Sequence, residues 1–227
     1  MYNVKHRYET MLWILRGESM AKQIEGVYER ILACAKREFL DKGYTDASLR
    51  TIAANADTST NSIYVRFKDK EGLFSVIVEP AVNGLMDMFM EAQETFHSFD
   101  QEKQRQEMGS YTQHEMERLI DYIYDNLDAF HLLLDASYGT RFQYFVDELV
   151  RVEVKYTHKF MEVMGYQIDF ERDMTENLLH IVTTSYFEGM FEVIRHGMGR
   201  EESKRYMTLL GEYHHTGFSA IFFQEQN

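Results

Sequence analysis

Histidine and carboxylate residues recur at helical spacing in the second half of the chain. Asp128, His131 and Asp135 stand at i, i+3 and i+7, and Glu176 with His180 and Glu192 with His196 stand at i, i+4. Side chains three or four apart share a helix face, so each pair could pass a proton or offer one edge of a metal site. A tetrahedral zinc site needs further ligands with converging geometry, and no spacing here supplies a third and fourth. The pairs therefore read as stabilising pairs on helix surfaces. His214 and His215 are neighbours and fall on different faces. Cys34 is the single cysteine; it cannot close an internal disulfide or build a cysteine-rich zinc site, and the chain reads as intracellular. There is no nucleotide-cradling glycine loop and no nucleophile elbow. No catalytic residue, metal or cofactor is expected.

A different chemistry fits residues 59–70. Thr60, Asn61 and Tyr64 share one face of a short helical pattern, while Ile63 and Phe67 lie one turn apart on the opposite face. Thr and Asn can hydrogen-bond base edges in the major groove, and Ser or Tyr hydroxyls and a helix N-terminus can hold phosphate oxygens. Arg50, Arg66, Lys68 and Lys70 bracket this face with positive charge.

The elements that position it can be read on either side. Ile24, Val27, Tyr28, Ile31, Leu32, Ala35 and Phe39 repeat at 3 and 4 spacing, which predicts an amphipathic helix ending at Gly43. Ser48 is a good N-cap for a second helix, Leu49 to Ala56, with an inner face of Leu49, Ile52, Ala53 and Ala56. Asp57 and Thr58 make a tight break, and Ser59 caps a third helix through Phe67. Two short helices joined in this way form a helix-turn-helix candidate.

Composition supports a helical chain. One proline and 13 glycines in 227 residues leave little of the turn chemistry that a many-stranded barrel or sandwich requires. With 44% hydrophobic and 27% charged residues, the chain is ordinary for a globular protein. No apolar run approaches the roughly 20 residues of a membrane span, and Met1 to Ser19 does not read as a secretory signal, so no membrane partner is expected. Net charge is distributed unevenly. Residues 1–80 hold 12 Lys and Arg against 11 Asp and Glu, net +1, and residues 81–227 hold 12 against 26, net −14. Phosphate contact depends on neutralising charge, so a nucleic-acid surface must lie in the first 80 residues.

The sequence also carries a family resemblance. Ile31-Leu32-Ala33-Cys34-Ala35 with Phe39 and Lys42-Gly43-Tyr44, then Ser48-Leu49-Arg50-Thr51-Ile52-Ala53, then Ser59 through Leu73 resemble the N-terminal domain of TetR-family transcriptional regulators over about fifty residues. The resemblance implies Ser48 to Phe67 as the helix-turn-helix. It places Ser48, Arg50, Ser59, Tyr64 and Lys70 near phosphates and Thr60, Asn61 and Ser62 near bases. The family usually has Gly and a branched apolar residue where this chain has Asp57 and Thr58, and often Lys-Gly at Thr60-Asn61. Asp can occupy a left-handed turn, so the turn is expected to persist while the operator sequence differs. The resemblance further implies an all-α protein of about nine helices, a homodimer on a double-stranded DNA operator, a small-molecule effector, repression as the usual sign, and a cytoplasmic setting.

On this reading residues 1–19 are an extension before a natural start at Met20, residues 20–68 are the DNA-binding domain, and residues 69–227 bind the effector and dimerise. Asp69 is expected to cap a helix from Lys70 toward Phe96, with Pro80 kinking or dividing it or marking a domain boundary. Residues 97–109 read as a polar loop or frayed end, and Thr112 to Glu115 as a capping box opening the next helix. Further helices are expected near 127–137, 140–164, 175–196 and 201–223, punctuated by Gly139, Gly165 and Gly197. Tyr122, Phe130, Tyr138, Phe142, Phe145, Tyr156, Met161 and Met164 are the candidate lining of an effector pocket. Leu179, Val182, Tyr186, Met190 and Ile194, with Leu210, Tyr213, His214, Gly217, Phe218 and Ile221, are the candidate dimer interface, with Gly189 and Gly217 allowing close helix approach. A helical protein-interaction module would explain the fold but not the polar face at Thr60, Asn61 and Tyr64.

Overall fold

The computed structural model describes residues 26–166 and 172–222; the expected extension and the start at Met20 lie outside them. Among the described residues the fold is all-α, with no strand. The chain divides into two compact units, residues 1–77 and 78–227.

The first unit contains α1 (26–46), α2 (Leu49–Asn55), α3 (Thr60–Phe67) and the opening turns of α4 (Lys70–His97). Ile31, Ala35, Phe39, Ile52, Ala56, Ile63, Leu73 and Phe74 are fully buried, matching the apolar faces read from the sequence. Leu73 and Phe74 belong to this core, because Phe39 and Tyr44 meet the Phe74 ring edge-on at 5.1 and 5.5 Å. The division therefore falls inside α4 rather than at its start.

The joint between α2 and α3 is fixed by its caps. The Ser48 side chain accepts from the Thr51 amide and that of Ser59 from the Ser62 amide, meeting the orphan donors of each helix start. At the end of α2 the Thr58 amide donates to Ala53 O and the Asp57 amide to Ala54 O, a Schellman closure. Its left-handed position is Asp57, at φ 51°, so the turn persists without glycine. Asp57→Gly is expected to raise the stability of this unit by about 0.5–1 kcal/mol, because glycine adopts that conformation without steric cost; a denaturant midpoint that falls would contradict it.

A second constraint stands between α3 and α4. Lys68 takes φ 69° and ψ −54°, and the Asp69 amide donates to Phe67 O, the geometry of the rare, strained γ-turn. Asp69 Oδ1 then accepts from the Gly72 amide at 2.7 Å and caps α4 as expected. A Cβ at position 72 would collide with the Phe67 carbonyl oxygen, so only glycine lets α4 begin this close to α3.

The second unit comprises the rest of α4, α5 (Gln101–Asp125), α6 (Leu127–Asp135), a 3-10 turn (Arg141–Tyr144), α7 (Phe145–Met164), α8 (Arg172–Arg195) and α9 (Arg200–Phe222). Pro80 does not divide α4. It lies inside the helix on an exposed position, and its carbonyl accepts from Tyr122 Oη at 3.2 Å. An 18-residue window of α4 reaches a mean hydropathy of 1.4, long and apolar enough by composition to cross a membrane, contrary to the expectation that no stretch approaches a membrane span. Its buried residues Val78, Ala81, Val82, Leu85, Phe89 and Ala92 instead pack within the protein.

Residues 101–109 are helical, contrary to expectation. α5 is capped by Asp100, whose side chain accepts from the Lys103 amide, and Thr112 to Glu115 lie in its interior. The polar first turns are held by Gln104 Nε2 donating to Phe99 O at 2.8 Å, Tyr111 Oη donating to Ala92 O at 3.1 Å, and Lys103 Nζ 3.7 Å from the Phe99 ring centre. The other helices fall close to the expected bounds, and Gly139, Gly165 and Gly197 all take positive φ between them.

Candidate nucleic-acid interface and ligand cavity

The short third helix presents two faces. Ile63 is 0% and Phe67 4% exposed, while Tyr64 is 51% and Val65 75% exposed, with Asn61 exposed and Thr60 half-buried. Phe67 stacks on Tyr28 at 5.3 Å. The anchor expected from the sequence is in place, and it leaves Asn61 and Tyr64 outward. Val65 was missed. Its i+4 spacing from Asn61 places it on the same surface, and an outward apolar group there is suited to a thymine methyl.

The polar residues around α3 differ in what they are free to do. Ser48 and Ser59 use an oxygen lone pair in capping and keep a hydroxyl proton to donate. Arg50 and Lys68 are exposed. Arg66 Nη1 instead donates to Ser62 O at 3.1 Å and to Ser62 Oγ at 2.6 Å, so this pair is clamped along the helix. Lys70 is a strut: its Nζ donates to Thr45 O at 2.9 Å and Ala47 O at 3.1 Å and lies 4.7 Å from the Tyr44 ring centre. These bonds tie the start of α4 to the last turn of α1 and to the loop before α2.

The second unit holds a cavity of about 400 Å³ between α4, α5, α7, α8 and α9. Of the eight residues expected to line a pocket, only Tyr156 does so. Phe130, Phe142, Phe145, Met161 and Met164 are buried core, and Tyr138 is 79% exposed. Tyr122 is the donor to Pro80 described above, and its ring lies 6.3 Å from Phe130. Apolar residues at helical spacing look alike in a solid core and in a cavity wall.

The most unusual group in the wall is Glu153. It is half-buried beside the cavity; its Oε2 accepts from Gln93 Nε2 at 2.7 Å, and desolvation pushes its carboxyl up to about 7. Burial, then the charge of Glu153, raise the Tyr186 phenol far above its ordinary value. Burial, helped by Lys159, lowers His97 to about 4, and His97 Nδ1 is buried without a hydrogen-bond partner among the described residues.

The candidate dimer helices are also sorted by burial. Leu179, Met190 and Ile194 are interior, at 0–1% exposure. Val182 and Phe218 pack on the Met161, Leu179 and Phe222 cluster, while Tyr186, His214 and Phe218 reach the cavity. Leu210 lies where a Cβ on Gly189 would meet it at 3.2 Å, so that close approach joins α8 to α9 of the same chain. Tyr213, Gly217 and Ile221 remain outward, with Ile181 at 59% and Leu209 at 67% exposure beside them.

The histidine–carboxylate pairs stay on the surface. His131 meets Asp135 at 3.8 Å and His196 meets Glu192 at 3.3 Å, whereas Glu176 pairs with His158 at 3.1 Å rather than with His180. No cluster of three or more metal-binding side chains occurs among the described residues.

A capped, four-residue turn between two short helices, with the second helix exposing a polar face, is a helix-turn-helix. Residues 31–77 match the sequence model of bacterial regulatory proteins of the tetR family, and the chain thus carries that family's N-terminal DNA-binding domain. No curated protein matches the chain. Solved structures similar to it include the TetR-family regulator PfmR from Thermus thermophilus, at 17% identity over 87% of this chain and 97% of that one, TM-score 0.56. SmeT, the repressor of the Stenotrophomonas maltophilia multidrug efflux pump SmeDEF, matches at 17% identity over 86% and 89%, TM-score 0.54. A TerR/AcrR-family regulator from Aquifex aeolicus matches at 21% identity over 86% and 99%, TM-score 0.50. The fold is that of TetR-family transcriptional regulators.

Proposed function

We propose that the chain is a cytoplasmic, homodimeric repressor that leaves its operator when a small molecule fills the cavity of the second unit. The observation that carries this is the exposed face of α3, held outward by the buried Ile63 and Phe67. Asn61 and Val65 read base edges. Ser48, Ser59, Tyr64, Arg50 and Lys68 hold phosphates, and Thr60 and Ser62 stand at the helix N-terminus where backbone amides face the duplex. Arg66 and Lys70 act through the structure, by clamping α3 and by bracing α4. Two copies joined through Ile181, Leu209, Tyr213, Gly217 and Ile221 supply the symmetry needed to read half-sites about 34–36 Å apart or a multiple of that spacing. Repression is supported by the similarity to SmeT.

Release is a population shift. An effector that binds better to a conformation unfit for the operator weakens DNA binding, and coupling of about 1–3 kcal/mol changes affinity about 5- to 150-fold. The test is retardation of DNA from upstream of the protein's own coding sequence, repeated over a range of salt. A regulator gives specific retardation with a steep salt slope. Tyr64→Ala is expected to weaken binding to all sequences alike, and Asn61→Ala to cost about 1–3 kcal/mol at one base position. If both variants keep operator affinity and sequence preference, the face has been misassigned.

A further inference from the structure

The cavity has a polar arrangement of its own. Gln93 and His97 are one turn apart on α4, and Glu153 and Tyr156 are one turn apart on α7. The Gln93 amide holds one carboxylate oxygen of Glu153, and the His97 ring lies 5.0 Å from that of Tyr156. The Glu153 carboxyl and His97, whose Nδ1 is buried without a partner among the described residues, thus belong to one wall of the cavity. Phe89, Phe96, Phe160 and Phe187 supply aromatic surface around them.

Charge around Glu153 is unbalanced, although Lys155 and Lys159 each stand 5.4 Å from the Tyr156 ring centre and Lys159 acts on His97. No Lys or Arg among the described residues pairs with Glu153. Lys204 reaches the cavity from α9 but is held by Asp121 at 2.7 Å, and Glu115 of α5 is held by Arg118 at 2.7 Å. Glu117 and Glu212 add further negative charge. A carboxylate half withdrawn from water without a counter-charge is costly, and a cation brought by a ligand offsets that cost, while aromatic faces stabilise the same cation.

We propose that the cavity selects an organic monocation, a protonated amine on an aromatic or apolar body, whose N–H donates to Glu153. The proposal deepens the reading of the cavity as the effector site and rests on it. His97 and His214, both held neutral by burial, do not compete as cations near pH 7. An anion of the same shape meets only repulsion. Because desolvation raises the Glu153 carboxyl to about 7, amine binding near that pH should also expel part of its proton.

The test uses the full chain and three probes that share one ring system: 1-pyrenemethylamine, 1-pyrenemethanol and 1-pyrenecarboxylate, followed by fluorescence anisotropy, with calorimetry of the amine in two buffers of different ionisation enthalpy. The amine is expected to bind at least tenfold tighter than the alcohol and the acid, and to release protons. In Glu153→Gln the amine should bind no tighter than the alcohol. In the unaltered protein its advantage should shrink from pH 8 to pH 5.5 as the carboxyl protonates, a readout that does not depend on the variant folding. Equal binding of the three probes overturns the cation selectivity but leaves the cavity as a binding site. Binding of none overturns both. Selective amine binding that leaves operator retardation intact supports the selectivity and overturns the release mechanism.

Discussion

Phe67→Ala is expected to cost about 3–5 kcal/mol of stability and to abolish specific DNA retardation, although position 67 faces away from the proposed DNA surface. Phe67 is 4% exposed, stacks on Tyr28 and is the last residue of an eight-residue helix. So short a helix has little stability of its own and depends on tertiary packing. Truncation removes the transfer energy of the ring and leaves a cavity. Its carbonyl also accepts from the Asp69 amide in the γ-turn, so a shift at 67 reaches the start of α4. Circular dichroism of the variant, with retardation at a temperature where α1 and α2 remain helical, checks the claim. Unchanged operator affinity would show that the α3 surface does not need its anchor.

Glu153→Gln is expected to stabilise the protein by about 3 kcal/mol at pH 8 and by little near pH 5. The folded carboxyl sits near 7 against an ordinary 4.5, and each pH unit of difference is worth about 1.4 kcal/mol. Between these values the native state binds more protons than the unfolded chain, so stability falls as pH rises from about 4.5 to 7 and stays low above it. Glutamine retains the shape and a hydrogen-bonding partner for Gln93 without the charge. His97 works in the opposite direction. With its folded value held near 4, the unfolded chain gains the proton first, and stability declines as pH drops from about 6.5 toward 4. Comparing denaturation of variant and unaltered protein at each pH cancels the His97 contribution; a gap that does not widen from pH 5 to 8 would refute the account.

The DNA-binding unit was legible because its signals are local. Ser48 and Ser59 announce their helices through single side-chain to amide bonds, and Asp57 can enter the left-handed region within one turn of chain. The start of α5 was misread for a related reason. Its polarity suggested a loop, while the decisive bonds to Phe99 O and Ala92 O come from packing that no short window contains. The cavity was illegible in aromatic and methionine counts, since Phe130 and Phe160 differ only in what faces them across the unit. One clue was available: Leu149, Val150, Glu153, Tyr156 and Phe160 form a single 3–4 stripe on α7, and a lone acid in such a stripe marks a place where the interior must provide for a charge. Spacing on α8 and α9 is ambiguous in the same way, because each has two apolar sides and spacing does not tell which one the chain keeps for itself.

The cavity wall also contains Gly109 on α5 and Gly211 on α9, and a Cβ at either would meet nothing within 4 Å. Replacing glycine inside a helix by a residue with a side chain favours the helix by up to about 1 kcal/mol. At these two sites the shape of the chamber can therefore drift by single substitutions that leave the scaffold sound or firmer. Descendants of this chain could change which molecules the chamber admits while keeping the same helix-turn-helix, by steps that pass through no unstable intermediate.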